Sequence, residues 1–165
     1  MISTQNTETN KESLWKKRLK GRYSTRVLAV QCLYAISAHS KAIEKLRFCN
    51  YDEIINSIIT NINTTQEPSV YRWIDQQYLI KTVQSVCQNQ KSIDEKIGQF
   101  LSSNWSMNRI AKVVQCVLRA ATHEILSNEA EAKAFLINDY IEIVKLFNHD
   151  GESGFANGVL DKISK

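Results

Sequence analysis

Apolar residues recur along most of this chain with a period near 3.6, the spacing that lines one face of an α-helix. The clearest case is Ile110, Val113, Val114, Val117, Leu118, Ala121 and Ile125, which step by three and four and predict a central amphipathic helix. Upstream, Val27, Val30 and Tyr34, flanked by Leu28, Cys32 and Ala35, predict a first helix capped by Ser24 or Thr25. Tyr51, Ile54, Ile55, Ile58 and Ile62 predict a second, ended by turn formers from Asn61 to Ser69 that include the lone Pro68. A third starts near Tyr71 with Ile74, Tyr78, Val83, Val86 and Cys87 on its apolar face, and Ile93, Ile97, Phe100 and Leu101 mark a short fourth. Leu136, Tyr140, Ile143, Val144 and Phe147 give a sixth helix, stopped at Asn148, Asp150 and Gly151, and Phe155, Val159, Leu160 and Ile163 a seventh. No convincing run alternates with period two. The expectation is an all-α fold of about seven helices in two small packed bundles. A flexible extension over residues 1–20 precedes a single domain over 21–165, with subdomains at about 21–70 and 71–165.

Composition narrows the class further. With 5 Gly and 1 Pro in 165 residues, the chain lacks the turn residues that sandwiches, barrels and phosphate-cradling loops require. Its 43% hydrophobic and 23% charged residues match an ordinary globule rather than a disordered chain. Apolar runs such as Val27 to Val30 fall far short of the ~20 residues that span a bilayer. The polar start, Met1 to Asn10, has no secretory signal pattern, so a cytoplasmic location and no membrane are expected. Cys32, Cys49, Cys87 and Cys116 lie far apart without a C-x-x-C pair and read as free, buried thiols.

Charge changes the picture because it is unevenly placed. Residues 1–26 hold seven bases, Lys11, Lys16, Lys17, Arg18, Lys20, Arg22 and Arg26, against Glu8 and Glu12, a net of +5. The remainder holds fourteen bases and fifteen acids and is close to neutral at −1. A basic arm on a neutral body suits nucleic acid, because neutralising phosphates releases condensed counterions. A solubilising tail would look the same on charge alone.

Catalytic chemistry finds little support. His39, His123 and His149 lack the i, i+4 pairing of a helical metal site. No nucleophile elbow, Walker loop or dinucleotide fingerprint is present. Asp94-Glu95 and the Glu129/Glu131 pair read as solvated helix faces rather than acid/base dyads. The expectation is a protein that is not an enzyme and that uses no cofactor or metal.

Three segments carry a family resemblance. Ala29-Val30-Gln31-Cys32-Leu33-Tyr34, preceded by Arg22 and Arg26, resembles the opening "R-x-x-A-R-x-x-A-x-Q-x-L-Y" of the NusB family of bacterial transcription antitermination factors. Asn104-Trp105, Arg109-Ile110-Ala111, Leu118-Arg119 and Glu124 are similar to its central "N-W … R-I-A … L-R … Y-E". Ile137 to Lys145 and Phe155-Ala156-Asn157-Gly158-Val159-Leu160-Asp161 resemble its "I-N-E-A-I-E-L-A-K" and "F-V-N-G-V-L-D". The likeness runs in order from about Arg22 to Ile163. It implies an RNA-binding antitermination factor that binds boxA, a short single-stranded element of nascent ribosomal RNA. The implied partners are NusE, the ribosomal small-subunit protein, and the RNA polymerase antitermination complex. Arg22, Arg26 and Tyr34 match the family's N-terminal RNA-binding positions, and Phe155 matches a family aromatic close to the RNA.

Single-stranded RNA is held by aromatics that stack bases and cations that take phosphates. The expected RNA-binding set is therefore Lys16, Lys17, Arg18, Lys20, Arg22, Arg26, Tyr34 and Phe155, with Arg22 and Arg26 at an exposed helix start. Core packing is the competing reading of Tyr34 and Phe155. The partner is expected on helical surface within 104–147, where Glu142 and Lys145 are candidate contacts. His123, Ala132, Thr82 and Ser24 depart from the family pattern, and Ser24 thins the arginine cluster. Two alternatives stand: a helical protein-interaction module without RNA, and the RNA-recognition domain of a ribosomal RNA methyltransferase, whose Gly-rich catalytic part has no counterpart here.

Overall fold

The computed structural model describes residues 21–38, 51–64, 74–127, 133–147 and 149–165. Among these, α1 occupies 21–38, α2 Tyr51–Thr64, α3 Gln76–Gln88, α4 Gln90–Gly98, α5 Lys112–Ser127, α6 Lys133–Leu146 and α7 Asp150–Ile163. One 3₁₀ turn, Met107–Arg109, precedes α5, and no strand occurs among the described residues. The all-α expectation holds.

The cleanest apolar period belongs to the central element. Eleven of the sixteen residues of α5 are buried, and α5 packs against α3, α4, α6 and α7. The core is one apolar cluster that joins Val27, Leu28 and Val30 of α1 to Leu79, Val83 and Val86 of α3. It continues through Val117 and Leu118 of α5 to Tyr140 and Ile143 of α6 and Leu160 of α7.

Several boundaries differ from the sequence reading. Thr25 does not cap α1, because the helix is already running at 21; its Oγ1 donates to the Gly21 carbonyl at 2.7 Å and accepts from the Asp75 N–H at 3.1 Å. The cap of α3 is Asp75, whose Oδ1 accepts from the Tyr78 N–H at 3.0 Å. Helix α4 ends at Gly98, so Phe100 and Leu101 pack onto the core from the turn beyond it. Helix α5 starts at Lys112, after Ile110, and Asp150 and Gly151 open α7 instead of marking a stop. Asp94 is not a solvated carboxylate: it takes a two-pronged bond from Arg119, Nε–Oδ1 2.7 Å and Nη2–Oδ2 2.9 Å, which ties α4 to α5. Cys32, Cys87 and Cys116 are free thiols, and burial pushes Cys32 up to about 12. His39, Cys49, Pro68, Glu129, Glu131 and Ala132 lie outside the described residues.

Candidate functional site

Helix α1 is buried on every side from Ser24 to Val30 and emerges toward its C-terminal end, where Tyr34 is 48% exposed. Core packing is thus not the role of this ring. Beside it, Val30 and Gln31 of α1, Ala111, Lys112 and Val113 at the start of α5, and Phe147 and His149 between α6 and α7 line a groove of about 480 Å³. That volume lies within the ~300–1,000 Å³ range of small-ligand sites. Its floor is aliphatic and aromatic, and Lys112, His149 and Gln31 supply polar groups. His149 Nδ1 lies 2.7 Å from Glu152 Oε2, which orients the ring.

A second aromatic feature stands at the start of α7 and the approach to α5. Phe155 is partly buried against the core and stacks on Trp105, with ring centroids 4.9 Å apart and planes 25° from parallel. Trp105 is 42% exposed. Its loop is held firmly: the Trp105 N–H donates to the Ser102 carbonyl at 2.8 Å, and Arg109 Nη1 donates to the Asn104 carbonyl at 2.9 Å. Buried Gln115 donates through Nε2 to the carbonyls of Met107 and Ile110, both at 2.8 Å. Sequence reasoning placed Asn104-Trp105 in a motif but gave Trp105 no role.

The two arginines of the first motif part company. Arg22 is partly exposed, its guanidinium 5.1 Å from the centre of the Tyr78 ring, a cation–π distance. Arg26 is only 1% exposed. It donates through Nε to Glu124 Oε2 at 2.9 Å and through Nη1 to Asp139 Oδ2 at 2.6 Å, and its Nη2 lies 2.9 Å from Glu124 Oε2. Tyr140 completes the cluster, donating to Glu124 Oε1 at 2.9 Å from a fully buried ring. Burial foremost, with Glu124 beside it, drives the Tyr140 hydroxyl well above the usual phenol range, so it stays a donor. The expectation that Arg26 lies at an exposed helix start is therefore corrected: it sits in the stretch of α1 that is buried on every side, among carboxylates of α5 and α6. Ser24, also buried, is no member of a surface cation cluster. Lys16, Lys17, Arg18 and Lys20 lie outside the described residues.

Helix α6 presents a further surface. Phe135, Glu142 and Leu146, spaced seven and four apart, share one face, and Phe135 is 72% exposed. Lys145 Nζ donates to Glu142 Oε1 at 2.8 Å on this exposed side. Among the described residues, no group of three or more His, Cys, Asp or Glu side chains is arranged to hold a metal. No described helix is long and apolar enough to cross a membrane.

Comparison with known proteins follows the same outline. The sequence model of the NusB family matches residues 23–165. The transcription antitermination protein NusB of Clostridium tetani is 34% identical over 151 residues, covering 90% of this chain and 98% of that protein. The protein of the same name from Sphingopyxis alaskensis is 30% identical over 149 residues, covering 90% and 95%. Among solved structures, antitermination factors NusB and NusE in complex with double-stranded RNA include a chain that superposes with a TM-score of 0.66 at 22% identity. The superposition covers 87% of this chain and 95% of that one. NusB of T. maritima superposes at 0.65 with 25% identity, covering 87% and 89%. The arm residues up to Arg22 precede the matched region.

Proposed function

The chain belongs to the NusB family, and from that premise we infer that it is a transcription antitermination factor that binds single-stranded boxA-type RNA of nascent ribosomal transcripts together with NusE. The observation that carries this reading is the near full-length match to transcription antitermination proteins, 34% identity over 90% of the chain. The exposed Tyr34 beside a groove with an adjacent Lys112 supports it physically, since a base needs an aromatic or apolar surface and its phosphate a cation. The protein acts as an adaptor rather than an enzyme, in the cytoplasm where transcripts emerge, within the RNA polymerase antitermination complex.

In this reading Arg22, Tyr34 and Phe155 belong to the RNA surface, and Lys16, Lys17, Arg18 and Lys20 add a phosphate-attracting arm. Arg26 supports α1 from behind. The stripe of Phe135, Glu142, Lys145 and Leu146 on α6 receives NusE, a charged and apolar mixture that suits a protein partner more than a phosphate backbone. A mobility-shift assay of the purified chain with a short boxA-type RNA, alone and with NusE, is the test. Binding that NusE strengthens is expected. No shift under either condition would sink the proposal and leave a protein-interaction module.

A further inference from the structure

Between Glu95 and Glu124 the sequence has no acidic residue, and this stretch contains Lys96, Arg109, Lys112 and Arg119. Arg119 is neutralised by Asp94, and Lys96 lies 5.2 Å from the centre of the Phe100 ring. Arg109 and Lys112 are exposed, and among the described residues neither pairs with a carboxylate. Trp105 stands four residues before Arg109, on a loop already fixed by three side-chain bonds and three backbone bonds. Its ring has Phe155 stacked on it and remains 42% exposed. Phe155, packed between the core and Trp105, belongs to this surface by backing the indole rather than by offering a base its own ring.

From this arrangement we propose that Trp105 is a stacking platform for an unpaired RNA base, with Arg109 and Lys112 taking the flanking phosphates and Phe155 serving as the backing that positions the indole. The inference rests on the RNA-binding function above and assigns a contact to the segment before α5 as well as to α1. The physical case has three parts. An indole already supported on one side offers its other side at little ordering cost. Base–aromatic stacking tolerates any base, so the platform adds affinity without demanding sequence. The 28 residues from Lys96 to His123 carry no carboxylate, so the segment that bears Trp105 adds no charge of its own that repels a phosphate. Lys112 also lines the groove beside Tyr34.

The experiment uses the full chain, NusE and a short boxA-type single-stranded RNA. Trp105→Ala should weaken RNA binding by roughly 5- to 150-fold, and Trp105→Phe, which keeps a stacking ring, should retain most of the affinity. RNA should quench tryptophan emission in the wild type, and Trp105→Phe should remove that quench although Trp15 and Trp73 remain. Replacing Arg109 and Lys112 together by Gln should reduce the magnitude of the slope of log K against log salt by about 1.4. Affinity of Trp105→Ala within twofold of wild type, or an undiminished quench in Trp105→Phe, would overturn the platform while leaving the RNA-binding function standing. Loss of NusE binding with RNA binding intact would overturn it too, assigning the loop to the protein partner. Should Trp105→Ala fail to fold, the quench in Trp105→Phe still decides. A wild type that binds no RNA overturns both the platform and the function beneath it.

Discussion

Arg26 is the residue whose position most changes what a substitution should do. A guanidinium removed from water and bonded to two carboxylates leaves those carboxylates uncompensated when it is lost, at a cost of roughly 3–5 kcal/mol. Arg26→Gln should therefore lower the free energy of urea unfolding by about that amount, and a loss under about 1 kcal/mol would contradict the buried cluster. The sequence could not reveal this, because Glu124 and Asp139 lie 98 and 113 residues away, whereas the neighbouring bases make Arg26 look like one more arm cation. Tyr34 was legible as an aromatic, but its exposure depends on which side of α1 meets the core.

His123 gives a pH prediction. Burial, chiefly, holds its imidazole below the usual 6.5, so the folded state takes up a proton less readily than the unfolded chain. The unfolded state then binds more protons below about pH 6.5, and stability, fully present above that value, falls as pH drops through the folded pKa. The thermal midpoint should decline from pH 7.5 to pH 5, and His123→Gln should shrink the decline. An identical decline in wild type and variant would show that other groups govern it.

At the scale of elements, the sequence located the helices by their apolar periods and misjudged their ends. Periodicity reports which face is buried; an end depends on where a backbone N–H finds its acceptor, and Asp75 gains that role only once the chain turns there. Asp75→Ala should cost about 1 kcal/mol by removing the acceptor for the Tyr78 N–H, measured by chemical denaturation. The same limit explains Trp105: its loop is shaped by Gln115, a residue of α5 that the helical pattern placed without showing what its amide holds. On α6, Phe135→Glu should weaken NusE binding more than tenfold with the helical circular dichroism unchanged, because the residue is 72% exposed. Unaltered NusE affinity would move the partner to another face.

For the whole molecule, the asymmetric charge was readable from the first residues, and what it serves is a matter of salt dependence. Deleting residues 1–20 should reduce the magnitude of the salt slope of RNA binding by about 0.7 for every phosphate contact the arm makes. Equal slopes for the two chains would confine phosphate contacts to 21–165.

The tie between Arg26 and Glu124 also has a meaning in time. A ribosome adding about 5–20 residues per second needs roughly 5–20 s to travel the 98 residues that separate them. For that interval α1 is outside or leaving the exit tunnel with Val27, Leu28 and Val30 uncovered and its arginine still hydrated, before α5 exists to receive them. Helix α1, the earliest described helix to be synthesised, is thus among the last to find its place, and the newborn chain offers an apolar, cationic segment to chaperones for seconds before α5 can cover it.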